Sequence, residues 1–197
     1  MQRDYRQFRP HPWHGLEPGG PEIWTAYVEI TPFDTIKYEV DKASGYLKVD
    51  RPQRSASLPP TLYGFVPQTY CGARTAALAG TEKGDGDPLD ICILSERPIT
   101  RADILLRARP VGGLLMVDAG EADDKIVAVL DKDAIWGGAR DLGDIPSALI
   151  ERLMHYFVTY KLEPGRQPVK IDATYGVERA LKVLAAARAD YDEAFSH

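Results

Sequence analysis

Thr35-Ile36-Lys37-Tyr38-Glu39-Val40, followed by Ser44-Gly45 and Tyr46-Leu47-Lys48-Val49, reads as two short strands joined by a turn. The alternation puts Lys37 and Glu39 on one face and Ile36, Tyr38 and Val40 on the other, the period of two that an extended chain requires. Ser44-Gly45 supplies the turn, and the stretch predicts a β-hairpin. Upstream, Ile23 to Ile30 alternates moderately; downstream, Ile104 to Val117 and Ile126 to Leu130 add further strands. Short strands joined by Gly- and Pro-rich turns predict a closed or nearly closed β-barrel.

Two helices are predicted after the strands. Asp144 is placed to cap the first, with Pro146 in its opening turn. Leu149, Leu153 and Phe157, with Ile150 and Val158, recur at helical spacing. The second runs from about Val177 to Phe195, with Val177, Leu181, Leu184 and Tyr191 on its inner face. Residues 1–20 are polar and rich in Pro and Gly and read as an N-terminal arm. His11 and His14 lie there among prolines, which favours a loop packed by Trp13 over a metal pair. With no internal repeat or linker, residues 1–197 are expected to form a single domain.

The 24 Lys and Arg against 29 Asp and Glu leave a net charge of −5, which argues against an unaided nucleic-acid surface. An acidic protein acting on an anion needs metals or a local basic pocket. Two cysteines, Cys71 and Cys92, stand far apart with no CxxC spacing, so neither a disulfide framework nor a zinc site is expected. No stretch reads as a signal peptide or approaches the length of a membrane span, and a cytoplasmic protein is expected.

The chemistry concentrates in Asp85-Gly86-Asp87-Pro88-Leu89-Asp90, directly before the apolar run Ile91-Cys92-Ile93-Leu94. Two unit charges 4 Å apart repel by about 4 kcal/mol at an effective dielectric near 20, so gathering these acids in a folded site is costly. A bound divalent cation turns that repulsion into ligation, and hard carboxylate oxygens suit Mg²⁺. An EF-hand loop does not fit: Leu89 stands where an oxygen ligand belongs, and Asp90 where glycine is required. A second cluster, Asp118-Ala-Gly-Glu121-Ala-Asp123-Asp124-Lys125, supplies ligands for more than one ion. Lys37, Arg51, Lys125 and Lys161 are candidates for phosphate oxygens, with Tyr63 and Tyr160 as hydrogen-bond donors.

These residues, in this order, resemble the soluble type I inorganic pyrophosphatases. Asp85-Gly-Asp-Pro-Leu-Asp-Ile91 matches that family's signature at every position. The likeness continues through Ile36-Lys-Tyr-Glu-Val-Asp-Lys42, Val49-Asp-Arg51, Tyr63-Gly-Phe65, Arg109-Pro-Val-Gly112, Asp118 to Val129, and His155-Tyr-Phe-Val-Thr-Tyr-Lys161. It spans about residues 22–170.

The resemblance implies a mainly β protein with flanking helices: a five-stranded OB-like closed barrel and two helices in the C-terminal half. It implies hydrolysis of pyrophosphate to two phosphates by a metal-activated water, with several Mg²⁺ ions per site. Asp85, Asp90 and Asp123 resemble ligands of the tight activating metal, and Asp118 and Asp123 those of metals that arrive with substrate. Asp87 resembles the carboxylate that accepts the proton of the attacking water. Glu29 and Glu39 fall at positions that hold metal-bound waters; Lys37, Arg51, Tyr63, Lys125, Tyr160 and Lys161 fall at phosphate-contacting positions. A homo-oligomer, hexamer or dimer, is expected, with no nucleic acid or membrane as partner.

The sequence departs from the family pattern in two places. Residues 68–83 form a longer segment than compact bacterial members carry, read as a surface loop. Pro59 stands where the family usually has an active-site tyrosine. Two other readings stay open at this stage: a metal-dependent phosphatase of nucleotides or polyphosphate, and a non-catalytic OB-like binding module.

Overall fold

A computed structural model describes residues 9–54, 56, 58–161 and 169–195. Among these residues ten strands run in order: β1 (Trp24–Ile30), β2 (Ile36–Val40), β3 (Leu47–Pro52), β4 (Leu62–Phe65), β5 (Lys83–Gly84), β6 (Asp90–Leu94), β7 (Ile104–Asp118), β8 (Glu121–Ala122), β9 (Lys125–Leu130) and β10 (Lys170–Gly176). Three helices accompany them: α1 (Ala73–Ala79), α2 (Ser147–Thr159) and α3 (Val177–Phe195).

Five strands close a ring, β1-β4-β6-β9-β7, sealed by the pairing of β7 with β1. Closure depends on the length of β7. Its first residues pair with β1, its middle with β9 and its last with β10 and β8. The expected barrel is therefore present. The β2–β3 hairpin forms a separate two-stranded sheet, as its alternation predicts.

Apolar side chains fill the ring and the layers against it. Ala26, Val28, Ile91, Ile93 and Ile126 pack with Val183, Leu184 and Ala187 of α3. Leu114, Met116, Val127 and Val129 pack with Leu153, Tyr156 and Phe157 of α2. Removing one large apolar side chain from such a core typically costs about 2–5 kcal/mol.

The helices correct several details. On α3 the buried stripe is Ala180, Val183, Leu184, Ala187, Asp190 and Tyr191, and Leu181 lies outside it, 37% exposed. On α2 the buried positions are Leu153, Tyr156 and Phe157, while Val158 faces out. Asp144 does not cap α2. Its carboxylate accepts the amides of Arg140 and Asp141, closing the short 3-10 turn Leu142–Asp144 instead. The segment 68–83, expected as a surface loop, holds α1 and anchors itself through the buried Thr69, Cys71, Thr75 and Ala76, while the rest of it is exposed or half-buried. Both cysteines are free and buried. Of the arm 1–20, residues 1–8 lie outside the described residues. In the rest, Trp13 is buried, His11 meets the Lys42 carbonyl and His14 the Tyr191 hydroxyl.

Candidate active site

Strand ends gather the acids. In the parallel pair β6–β9, Asp90 stands opposite Lys125. Parallel neighbours start at one end of the sheet, so the first residues of both strands meet there. The antiparallel β7–β8 pair brings Asp118 opposite Glu121, and the Asp123 amide bonds the Met116 carbonyl at 3.0 Å. Gly86 takes φ +73, a left-handed conformation that suits glycine. The chain thereby turns between Asp85 and Asp87, and the Asp85 carboxylate accepts the Asp87 amide at 3.0 Å.

These ends open into a cavity of about 580 Å³. Its wall carries Asp85, Asp87, Asp90, Asp118 and Asp123, Glu29 and Glu39, Lys37, Lys125 and Lys161, and Tyr63 and Tyr160. Every site residue expected from sequence lies there except Arg51. Arg51 instead pairs with Asp50, whose carboxylate also accepts Lys37 at 2.8 Å. It stands opposite Lys37 in the hairpin, one ion pair back from the wall.

Carboxylates and ammonium groups interleave. Lys125, almost fully buried, donates to both Asp90 and Asp123. Lys161 donates to Asp118 at 2.6 Å, Lys37 to Glu39 at 3.0 Å, and Lys42 to Asp87. The Tyr63 hydroxyl donates to Asp90 at 2.6 Å.

Burial sets the electrostatics. It pushes the Glu29 carboxyl up to about 8, opposed by the Val40 amide that its oxygen accepts at 2.7 Å. Asp85 is raised by burial and by Asp123 beside it. Asp123 is raised by burial, with Lys125 opposing. Burial lowers Lys125, but Asp123 and Asp90 hold its ammonium charged well above the ordinary lysine range. A pocket of buried carboxylates that resists carrying all of its negative charge is a pocket that favours cations.

The donor set fits a hard divalent cation. Asp85, Asp90 and Asp123 offer only carboxylate oxygens, and among the described residues no soft sulfur or imidazole lines the wall. Among the described residues no three such groups converge on one point: Asp90 and Asp123 lean toward Lys125, and Asp118 toward Lys161. An arriving ion would draw carboxylates away from those lysines and free the ammoniums for an anion.

Lys42 and Asp50, not among the residues expected from sequence, are both tied to site residues by ion pairs. Lys42 sat inside the matched stretch Ile36 to Lys42, so its position was visible and its partner was not. Gln53 also escaped notice. It lines a small space beside Lys37, Tyr63 and Tyr160, and its carboxamide nitrogen is buried without a hydrogen-bond partner. Pro59 is buried and is not on the cavity wall.

The family model described as inorganic pyrophosphatase matches residues 26–192. The inorganic pyrophosphatase of Chlamydia muridarum is 46% identical over 94% of this chain and 95% of its own length. Soluble inorganic pyrophosphatase 2 of Chlamydomonas reinhardtii is 36% identical over 96% and 92%. The crystal structure of inorganic pyrophosphatase from Thermus thermophilus superposes with a TM-score of 0.80 at 30% identity, covering 93% of this chain and 99% of that one. Closed barrel, acid-lined cavity and matched sequence thus agree, and the chain belongs to the inorganic pyrophosphatase family.

Proposed function

We propose that this enzyme hydrolyses inorganic pyrophosphate to two phosphates with Mg²⁺ as its cofactor. The observation that carries the reading is the interleaving, on one cavity wall, of Asp85, Asp90, Asp118 and Asp123 with Lys37, Lys125 and Lys161. Acids alone would repel a multiply anionic substrate, and lysines alone would bind it without activating water. The two together serve metal and substrate at once.

Bound Mg²⁺ would supply Lewis-acid neutralisation of the phosphate charge and acidify the attacking water. Asp85, Asp90 and Asp123 would hold the tight metal; Asp118 and Asp123 would hold those arriving with substrate. Glu29 and Glu39 would orient waters around them. Asp87 is the group to accept the water's proton: its side chain is half exposed to the cavity, and Lys42 is the partner it leans on. Lys37, Lys125 and Lys161, with the Tyr63 and Tyr160 hydroxyls, would fix the phosphate oxygens, and Arg51 would act from behind Lys37. Positioning and electrostatic stabilisation dominate phosphoryl transfer, so this division of labour suffices.

Phosphate release from pyrophosphate, with and without Mg²⁺ and beside ATP and tripolyphosphate, tests the proposal. Fast release from pyrophosphate alone, abolished by chelator, is expected. Preference for ATP or tripolyphosphate would instead favour the broader phosphatase. We further read the enzyme as a cytoplasmic homo-oligomer, hexamer or dimer, a reading supported by its free thiols and by exposed apolar side chains such as Ile135 and Phe33. No helix among the described residues is long and apolar enough to cross a membrane.

A further inference from the structure

Asp190 lies on α3, outside the cavity, yet its buried carboxylate gathers five donors from the segment before the acidic loop. Its oxygens accept the amides of Gly72, Arg74 and Thr75 at 3.1 Å each, the Thr75 hydroxyl at 3.3 Å and the Arg74 guanidinium at 3.0 Å. Gly72 is the N-cap of α1 and has no side chain to cap it. Asp190 therefore does for α1, from another helix, what a local Ser or Asp ordinarily does. At the other end of α1, Arg179 of α3 donates to the Leu78 carbonyl at 2.9 Å.

The fixed start of α1 is continuous with the acidic loop. The Cys71 amide, one residue before the cap, donates to the Asp87 carbonyl at 2.8 Å, and the Gly86 amide returns a bond to the Cys71 carbonyl at 3.1 Å. Behind them the Leu89 amide bonds the Thr69 hydroxyl at 2.9 Å, and the Val66 amide bonds the Leu89 carbonyl at 2.9 Å. Residues 66–71 are thus zipped along the back of residues 86–89. Gly84 seals the contact: a Cβ there would lie 2.1 Å from the Cys71 carbonyl oxygen.

We infer that Asp190 is a positioning residue for the Asp85–Asp90 loop, acting through the start of α1 and the Cys71 amide on the Asp87 backbone. The segment expected as a surface loop is then a strut between α3 and the site. Loosening its cap lets the Cys71 to Asp87 bond open, so Asp85 and Asp87 lose their fixed spacing relative to Asp90, which β6 holds independently. The inference rests on the pyrophosphatase reading of the site.

The full-length chain tests it through Asp190→Ala, Asp190→Asn and Ala185→Gly, the last weakening α3 at an exposed position without touching the cap. Thermal midpoint, Mg²⁺ affinity by calorimetry, and kcat and KM on pyrophosphate are measured well below every midpoint. Asp190→Ala should weaken Mg²⁺ binding about tenfold, as loss of an outer partner of a metal site does. It should lower kcat with KM little changed. Asp190→Asn keeps one acceptor oxygen and should fall between. Ala185→Gly should lose thermal stability alone. Parental metal affinity and kcat in folded Asp190→Ala overturn the inference, as does Ala185→Gly reproducing the loss. Should Asp190→Ala not fold, Asp190→Asn carries the test, and parental values there overturn it. A parent chain that neither binds Mg²⁺ nor releases phosphate sinks the functional reading itself.

Discussion

Lys125 stands opposite Asp90 at the start of two parallel strands, and its buried ammonium donates to that carboxylate while also holding Asp123. Breaking such a buried pair by removing one partner typically costs about 3–5 kcal/mol, since the other charges are left uncompensated. Lys125→Met should therefore lower the thermal midpoint sharply in chelator. A divalent ion meets the same carboxylates, so Mg²⁺ should restore more stability to the variant than to the parent. Thermal unfolding in chelator and in Mg²⁺ measures the coupling. Equal Mg²⁺ shifts in both proteins would mean that Lys125 and the metal do not share ligands.

Asp87 and Asp90 lie close in sequence but differ in surroundings. Asp87 is half exposed and held by Lys42; Asp90 is bonded to Tyr63 and Lys125 at the head of β6. Asp87→Asn should lower kcat by about 10²–10⁴-fold, the usual loss of a general base, while Mg²⁺ affinity stays near the parent's. Asp90→Ala should weaken Mg²⁺ binding first. Calorimetry beside steady-state kinetics separates them. Parental metal affinity in both variants with equal loss of rate would refute the assigned roles.

The barrel and the site were legible in sequence to different depths. Strand period and turn residues revealed β1, the hairpin, β7 and β9 because those stretches obey a local rule. Asp85, Asp87 and Asp90 stood out because three acids crowd into six residues, and the fold brings all three onto one cavity wall. The helix α1 was not legible. Its start is capped by Asp190, more than a hundred residues later, and Gly72 gives no local capping signal. Asp144 misled for the same reason: its carboxylate turns back to Arg140 and Asp141, a choice made by tertiary placement. The Arg51 to Asp50 to Lys37 relay likewise depends on hairpin register rather than on spacing.

Asp133 makes the fold sensitive to acid. Burial raises its carboxyl, but the amides of Trp136 at 2.9 Å, Glu96 at 2.8 Å and Ile135 at 3.0 Å outweigh it and hold the group below its ordinary value. A folded pKa below the unfolded one contributes stability that is present above the unfolded value, about 3.9, and is lost as pH falls through the folded value. Asp133→Asn presents an NH₂ to one of these donors and should cost about 1–3 kcal/mol at pH 7. The gap between parent and variant should narrow below about pH 4 as the parent's carboxylate protonates. Urea unfolding at pH 7, 5, 4 and 3 gives the test; a gap that is constant or widens in acid contradicts it.

Pro59 offers the last test, because the family resemblance leads one to expect an active-site tyrosine at its position. A missing hydroxyl there removes at most one neutral hydrogen bond, worth roughly 0.5–1.5 kcal/mol net, or about tenfold in rate. Interactions with charge at the reacting phosphate are worth more, so the parent should turn over pyrophosphate despite Pro59. The surroundings of Pro59 add a second expectation. It is buried and off the cavity wall, so a larger ring has to be accommodated in packed surroundings. Overpacking of that kind typically costs about 1–3 kcal/mol. Pro59→Tyr should therefore lower the thermal midpoint while leaving kcat within about tenfold of the parent. A parent that binds Mg²⁺ and pyrophosphate without turnover, rescued by Pro59→Tyr, would show that the hydroxyl is indispensable and that its position was misjudged.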